Sequence, residues 1–192
     1  LEKGMTPRQV DHLLRDTYSV SKTRRELCIE AAQAGLKAKA DLKPEDISLY
    51  IGIPFCPTRC AYCSFVSQAV EKSFALMEPY LGEITQAAQM VKDLGLNVKS
   101  FYMGGGTPTT LSAGQMDRLL THLNQSFDLS RCAEYCIEAG RPDTITEEKL
   151  SLSQKFGVNR LCINPQTMQD RTLQRIGRRH TAAEIAACYT LA

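Results

Sequence analysis

Three of the eight cysteines lie close together, and this group is the part of the sequence best suited to chemistry. Cys56, Cys60 and Cys63 are separated by three and then by two residues. Thiolates bind zinc and iron–sulfur clusters, and a pair of thiols can act as a redox dithiol. Three thiolates in one loop are enough to hold three corners of a metal centre. The other cysteines are scattered and are predicted to pack as small apolar side chains: Cys28, Cys132, Cys136, Cys162 and Cys188.

Three kinds of site are compatible with this loop. A zinc site usually has a fourth Cys or His ligand, but the three histidines of the chain are scattered singly. A redox dithiol would use Cys60 and Cys63 and would leave Cys56 without a role. An iron–sulfur cluster held by three thiolates would keep one iron open, and an open iron can bind and reduce a ligand.

Unusual residues also follow three other segments that are predicted to be strands. One is a glycine-rich loop that consists of Gly104, Gly105, Gly106 and Thr107. The others are Glu138, just before Gly140, and Gln166, just after Pro165. In parallel βα folds the ligand lies at the carboxyl ends of the strands, so these residues are expected near the cysteines. Glycines let the backbone approach a ligand, although they also serve tight turns between a strand and a helix.

Short apolar segments alternate with amphipathic helices in the part of the chain that must position these residues. The predicted strands are residues 48–53, 98–103, 135–139 and 160–163. The predicted helices are residues 80–94, 112–127, 146–156 and a last one from 181 onward. Two of these helices begin with a capping box, Ser112 with Gln115 and Thr181 with Glu184. The alternation predicts an α/β fold with a parallel sheet.

About four βα units fit between residue 46 and residue 192, whereas a closed barrel of eight units needs roughly 200 residues or more. The sequence therefore predicts a partial (β/α) barrel over residues 46–192, with its remaining strands expected beyond Ala192. Residues 1–45 are predicted to form an N-terminal helical segment, in which Thr6 caps the first helix and Pro7 takes its first position.

Composition narrows the class of protein. The chain has 192 residues, 43% of them hydrophobic, which is enough for a globular domain with a real core. Its net charge of +2 excludes a chain that is basic throughout, so no nucleic-acid partner is expected. The sequence has neither an apolar run of roughly 18 residues nor the apolar block of a signal peptide, so we expect no membrane span and a cytoplasmic location.

The motifs together resemble those of a known superfamily. The pattern Cys-x3-Cys-x-Tyr-Cys, after a strand that begins Tyr50-Ile51-Gly52, resembles the radical S-adenosylmethionine (radical SAM) superfamily. The Gly-Gly-Gly-Thr-Pro-Thr loop, the strand around Glu138 and the Pro-Gln turn resemble its oxygen-independent coproporphyrinogen III oxidase branch, also called coproporphyrinogen dehydrogenase. The resemblance runs from about residue 48 to residue 192 and implies the first part of a radical SAM barrel.

This resemblance implies roles for individual residues. Cys56, Cys60 and Cys63 would ligate a [4Fe–4S] cluster whose open iron binds S-adenosylmethionine. Contacts with this cosubstrate are implied for Tyr50, Tyr62, Gly104, Gly105, Gly106, Thr107, Glu138, Gln166 and Arg179. The resemblance assigns no catalytic residue beyond the cluster.

The implied reaction belongs to haem biosynthesis. It is the oxidative decarboxylation of coproporphyrinogen III propionates to vinyl groups without oxygen, with a flavodoxin or ferredoxin as electron donor. Phe65 stands where the well-characterised oxidase has a further cysteine, and the sequence Cys63-Ser64-Phe65 resembles a branch that includes haem chaperones. A haem-trafficking protein without oxidase activity is therefore the alternative, and a zinc-stabilised βα domain is a third.

Positive charge is concentrated near the end of the chain. Residues 155–180 contain six Lys or Arg and one acid, Asp170. Guanidinium groups bind carboxylates well, and a substrate with four propionates would need such partners. The alternative is that this stretch is simply a solvated surface.

Overall fold

The computed structural model describes residues 1–65 and 67–192 and divides them into two compact units, Leu1–Pro44 and Glu45–Ala192. The first unit is a pair of helices, α1 (Pro7–Asp16) and α2 (Lys22–Ala40). The predicted start of α1 is confirmed, because the Thr6 side chain accepts a hydrogen bond from the Gln9 backbone and Pro7 follows it. An ion pair of 2.7 Å between Asp11 and Arg25 joins the two helices.

The second unit consists mainly of alternating strands and helices. In chain order these are β1 (Asp46–Ile53), β2 (Phe55–Cys56), β3 (Gln68–Ala69), α3 (Val70–Val91), β4 (Asn97–Gly105), α4 (Ala113–Ser126), β5 (Glu134–Gly140), α5 (Glu147–Lys155), β6 (Arg160–Ile163), α6 (Asp170–Arg175) and α7 (Ala182–Leu191). Four of the strands form one sheet in the order β1-β4-β5-β6, and each neighbouring pair is parallel. The α/β class and the parallel sheet predicted from the sequence are confirmed.

Strand β4 shows how the sheet separates an apolar face from a polar one. Its residues alternate in direction, so Phe101 and Met103 are fully buried while Tyr102 points to the opposite face. On the buried face, the Phe101 ring packs 4.5 Å from that of Tyr135 on β5. Side chains of α3 and α4, among them Met77 and Leu120, complete this core. The opposite face carries polar and ionisable side chains and is the one relevant to function.

Two helix predictions were wrong. Helix α3 begins at Val70, ten residues before the predicted start, and contains Pro79 in its interior. The residue before a proline normally avoids the helical conformation, which favoured a boundary here. The helix continues through Pro79 because Met77 and Leu81 on either side of it are both buried in the core. Helix α6 was not predicted, because it is short and buries only Leu173.

The predicted helix ends are otherwise confirmed. The capping boxes at Ser112 and Thr181 both form. Gly95 and Gly157 adopt the left-handed conformation expected after a helix, with φ of 67° and 78°. Across the described residues, none of the helices is both long enough and apolar enough to cross a membrane.

Candidate functional site

A cavity of about 270 Å³ lies at the carboxyl end of the parallel sheet. Its wall includes all three clustered cysteines, of which Cys56 ends β2 and the other two lie in the loop after it. Most of the other predicted site residues also line it: Tyr62, Gly105, Gly106, Thr107, Glu138 and Gln166. The fold therefore brings four separate strand ends to one place, as parallel βα folds do with their ligand-binding residues.

The glycine loop is fastened to the segment that leads into the cysteines. The backbone N–H groups of Gly106 and Thr107 donate to the carbonyls of Ile53 and Phe55, each at 2.8 Å. A Cβ atom at position 106 would lie 2.7 Å from the Phe55 carbonyl oxygen, so only glycine fits. The Thr107 hydroxyl donates to the Cys56 sulfur at 3.4 Å. The two loops thus form one rigid wall of the cavity.

Cys56 is held in a partly buried environment. Burial raises the pKa of its thiol, while hydrogen bonds from Thr107 and Ser67 and the charge of Arg141 act in the opposite direction. Metal ligands of this type must be deprotonated, so binding of a metal centre would release a proton here.

The three thiols face the cavity without meeting at one point. Within residues 1–65 and 67–192, no three Cys, His, Asp or Glu side chains are grouped closely enough to share a single metal ion. In a [4Fe–4S] cluster each thiolate binds a different iron, so the ligands sit at separate corners. Three thiols on one cavity wall suit a [4Fe–4S] cluster that keeps one iron open.

Arg178 supplies a buried positive charge to the same cavity. It is 8% exposed, and one of its terminal nitrogens donates to the Tyr62 hydroxyl at 3.2 Å. Its Nε and Nη1 atoms have no hydrogen-bond partner among the described residues. A buried guanidinium with free donors is costly unless it binds an anion. This position is therefore suited to the carboxylate of a bound ligand.

Arg179, the arginine singled out in the sequence, does not line the cavity. Its side chain is 70% exposed and lies 3.6 Å from Glu71. Because neighbouring residues point in different directions, a shift of one position exchanges a buried side chain for a solvent-facing one. Arg178, and not Arg179, is the arginine of this pair that lines the cavity.

Glu138 is oriented by two neighbours. The Tyr102 hydroxyl donates to one carboxylate oxygen at 3.0 Å, and the Asn164 amide donates to the other at 2.8 Å. Burial and this hydrogen bond raise the pKa of Tyr102, so the phenol remains a donor. A carboxylate has about four acceptor positions, which leaves Glu138 able to accept from a ligand as well. Neither Tyr102 nor Asn164 was predicted.

Two further predicted residues lie beside the cavity and do not line it. Tyr50 is 57% exposed and stacks on Tyr102 with 6.0 Å between ring centroids. Gly104 lies under the same tyrosine, since a Cβ atom there would clash with the Tyr102 ring. These two residues therefore support Tyr102, which itself lines the cavity.

Gln166 has an unusual backbone conformation. Its φ of 63° lies in the left-handed region, which is rare for a residue other than glycine. Such a conformation costs on the order of 1–3 kcal/mol and is often found at functional sites. It turns the chain at the carboxyl end of β6, where Gln166 lines the cavity.

Arg141 is another residue that the sequence did not single out as part of the site. Its side chain is 2% exposed and lines the cavity together with the three cysteines. It follows Gly140 at the end of β5, and this position was the only available signal. The basic stretch near the chain end is likewise not a uniform surface, because Arg178 and His180 are buried in it.

The isolated cysteines behave differently from one another. Cys136 and Cys188 are buried as predicted. Cys28 is exposed on α2, so the prediction that it packs in a core was wrong. Cys136 on β5 and Cys162 on β6 place their sulfurs 3.5 Å apart on the polar face of the sheet.

Comparison with known proteins defines the class of this chain. The family model described as the Radical SAM superfamily matches residues 50–192, and the chain belongs to that superfamily. The oxygen-independent coproporphyrinogen-III oxidase-like protein HemZ of Bacillus subtilis is 38% identical over all of this chain and 40% of its own length. The heme chaperone HemW of the same organism is 36% identical over 72% of this chain and 36% of its own length.

A solved structure gives the same result for the fold. The structure of coproporphyrinogen III oxidase (HemN) from Escherichia coli, described as a radical SAM enzyme, matches with a TM-score of 0.69 and 29% identity. The match covers 83% of this chain and 37% of that chain. A partial barrel agrees with these figures, since the chain spans about 40% or less of each of these relatives.

Proposed function

We propose that this chain carries the cofactor site of a radical SAM enzyme that acts on a tetrapyrrole. The observation that supports this most directly is the shared cavity, which is lined by three thiols, the buried Arg178 and the oriented carboxylate of Glu138. Cys56, Cys60 and Cys63 would hold a [4Fe–4S] cluster through three of its irons.

The residues around the cluster are suited to S-adenosylmethionine. Arg178 would bind the carboxylate of its methionine part, because Nε and Nη1 find no partner elsewhere in the described chain. Glu138 and Gln166 would accept or donate hydrogen bonds to the rest of the molecule. The N–H groups of Gly106 and Thr107 are already used within the protein, so this loop would contribute shape and carbonyl oxygens.

A [4Fe–4S] cluster held by Cys56, Cys60 and Cys63 would supply, when reduced, the electron that cleaves S-adenosylmethionine into methionine and a 5′-deoxyadenosyl radical. The side chains of this chain bind and orient the cosubstrate and keep water from it. The reaction we propose is the oxygen-independent conversion of coproporphyrinogen III propionates to vinyl groups, in which each propionate gives a hydrogen atom to the 5′-deoxyadenosyl radical, releases carbon dioxide and passes one electron to an external acceptor. A flavodoxin or ferredoxin would deliver the electron that reduces the cluster, and the protein would work in the cytoplasm without a nucleic-acid partner.

A haem chaperone of the same superfamily is the second candidate. Relatives with this name match the chain at 29% to 36% identity. Phe65 lines the cavity beside the cysteines, with 60% of its surface exposed. An exposed aromatic side chain at the mouth of the cavity would suit contact with a flat macrocycle.

The direct test is anaerobic reconstitution with iron and sulfide, followed by assay for 5′-deoxyadenosine. We expect a brown protein that releases 5′-deoxyadenosine when a strong reductant is added. Cys56→Ala should abolish the product, whereas Cys188→Ser, at a buried cysteine outside the cavity, should not. A reconstituted protein with an intact cluster but no product would contradict the enzymatic proposal.

Ligand titration separates the two candidates. The oxidase predicts that coproporphyrinogen III loses carbon dioxide in proportion to the 5′-deoxyadenosine formed. The chaperone predicts tight binding of haem and no change in added coproporphyrinogen. Zinc content with a colourless protein would support neither of them.

A further inference from the structure

We propose that Arg141 is a positioning residue for the cysteine loop and the buried cation that favours the reduced state of the cluster. The inference rests on the proposed function, because it concerns the same cluster. It adds a residue that lines the same cavity and holds the cysteine loop through Thr58, which stands midway between Cys56 and Cys60.

The Arg141 guanidinium forms hydrogen bonds on two sides. Its Nε and Nη2 atoms donate to the two carboxylate oxygens of Asp143 at 3.1 and 3.0 Å. Its Nη1 atom donates to the backbone carbonyl of Thr58 at 3.2 Å and to the Thr58 hydroxyl at 2.7 Å. Four of the five N–H groups of an arginine are thus used, two on each partner. Asp143 fixes the plane of the guanidinium group, and the guanidinium group in turn holds Thr58 in place.

A second set of contacts holds the same loop from the other side. The Thr58 hydroxyl donates to the Gly177 carbonyl at 3.2 Å, and the Ala61 backbone donates to the Ile176 carbonyl at 3.0 Å. The Thr58 hydroxyl therefore both accepts from Arg141 and donates to the segment after α6. The cysteine loop is tied to β5 and to this segment within the protein itself. Partners that orient metal ligands in this way typically change metal affinity by about 10- to 100-fold.

The charge of Arg141 acts on the site as well as its shape. The Nη1 edge of the guanidinium faces Thr58 in the cysteine loop, while the counterion Asp143 lies at the opposite edge. The side chain is 2% exposed, so water and salt screen its field only weakly. An added electron makes a thiolate-bound cluster more negative, and a nearby buried cation stabilises that state. Removing the charge should lower the midpoint potential of the cluster.

Two substitutions at position 141 separate these two effects. Arg141→Lys keeps the charge but replaces the planar guanidinium group with a single ammonium group. Arg141→Gln removes both. Thr58→Val removes the hydroxyl acceptor and keeps the volume and branching of the side chain. Arg160→Gln, an exposed arginine at the other end of the sheet, is the matched control.

The measurements are the rate of iron release to a chelator and the midpoint potential from a reductive titration followed by electron paramagnetic resonance. We expect Arg141→Lys to release iron about 10-fold faster or more, with a potential close to that of the parent protein. Arg141→Gln should release iron at least as fast and have a lower potential. The Thr58→Val change should add less to Arg141→Lys than it does to the parent protein, because both remove the hydrogen bond between Arg141 Nη1 and the Thr58 hydroxyl. Arg160→Gln should alter neither quantity.

Parent-like iron release and an unchanged potential in Arg141→Gln would overturn the inference. So would fully additive effects of Arg141→Lys and Thr58→Val. If Arg141→Gln does not fold, Arg141→Lys and Thr58→Val still test the inference. Parent-like iron release in both variants would contradict the positioning role of Arg141. Failure of the parent protein to assemble a cluster would contradict the proposed function instead, and so the two failures are distinct.

Discussion

The two ends of strands β5 and β6 each carry an arginine–carboxylate pair, and the pairs differ in burial. At the amino end, Arg160 lies 2.9 Å from Glu134, with 59% and 47% of the two side chains exposed. At the carboxyl end, Arg141 lies 3.0 Å from Asp143 and is 2% exposed. An exposed pair contributes little to stability, whereas a buried one leaves an expensive charge behind if a partner is removed.

Buried polar atoms without hydrogen-bond partners are a second difference between the two ends of these strands. The carboxyl end of the sheet buries His180, whose Nδ1 lies 3.6 Å from Asp143, and Arg178, whose Nε and Nη1 lack a hydrogen-bond partner among residues 1–65 and 67–192. A protein retains an unpartnered guanidinium in its interior at a cost in stability, so Arg178 marks where a ligand belongs. The amino end of these strands carries ordinary surface chemistry. The contrast teaches that burial, more than charge, identifies the functional end.

The largest expected effect distinguishes two adjacent arginines. Arg178→Ala should weaken binding of S-adenosylmethionine to the reconstituted protein by about 10- to 100-fold, because it removes charge-assisted hydrogen bonds in a buried site. Equilibrium dialysis with labelled cosubstrate measures this directly.

Arg179→Ala is the matched control for that substitution. Its side chain is exposed beside Glu71, so binding should stay within about twofold of the parent value. Equal losses in the two variants would show that the buried position has no special role.

A smaller effect is expected from a methyl group at the glycine loop. Gly106→Ala places Cβ within 3.0 Å of three backbone atoms of Ile53 and Phe55, so the loop must shift. We expect a loss of about 1–3 kcal/mol in the free energy of unfolding, measured by chemical denaturation. Gly82→Ala, on an exposed position of α3 where the new Cβ meets nothing within 4 Å, should be neutral or stabilising. Comparable destabilisation by both would contradict the close packing of the loop.

The buried His180 should make the stability of the protein depend on pH. Burial lowers its pKa, and the charges of Arg178 and Arg141 lower it further, while Asp143 opposes them. The unfolded state, with a pKa near 6.5, therefore binds more protons, so stability is present above that pH and falls below it. The melting temperature should drop between about pH 7.5 and about pH 5.5, and it should drop less in His180→Gln. An identical pH profile in both proteins would remove His180 from this account.

The smallest effect is expected at the amino end. Arg160→Gln breaks an ion pair in which both side chains are about half exposed. We expect a melting temperature close to that of the parent and unchanged cosubstrate binding. A marked loss of stability here would erase the distinction between the two ends of the strands.

The sequence was informative where the signal is local or periodic. The alternation of apolar strands and amphipathic helices predicted the parallel sheet, and the spacing of Cys56, Cys60 and Cys63 predicted their common location. Helix α3 was shortened in the prediction because a proline is a local signal against a helix, while the burial that overrides it depends on tertiary packing.

The parts that could not be predicted depend on contacts between distant residues. Arg141 reaches Thr58 across 83 positions of the chain, and Arg178 reaches Tyr62 across 116. Such contacts leave no pattern in the sequence. The choice between Arg178 and Arg179 depends on the turn after α6, which sets which of two identical side chains faces inward.

Cys56, Cys60 and Cys63 would hold a [4Fe–4S] cluster with one open iron in the cavity that Arg178 also lines. Electron paramagnetic resonance of the reduced, reconstituted protein tests this central claim most directly. The account predicts a signal of a reduced [4Fe–4S] cluster that changes when S-adenosylmethionine is added and is absent in Cys56→Ala, Cys60→Ala and Cys63→Ala. A signal that S-adenosylmethionine leaves unchanged, or one that persists in all three variants, would contradict the account.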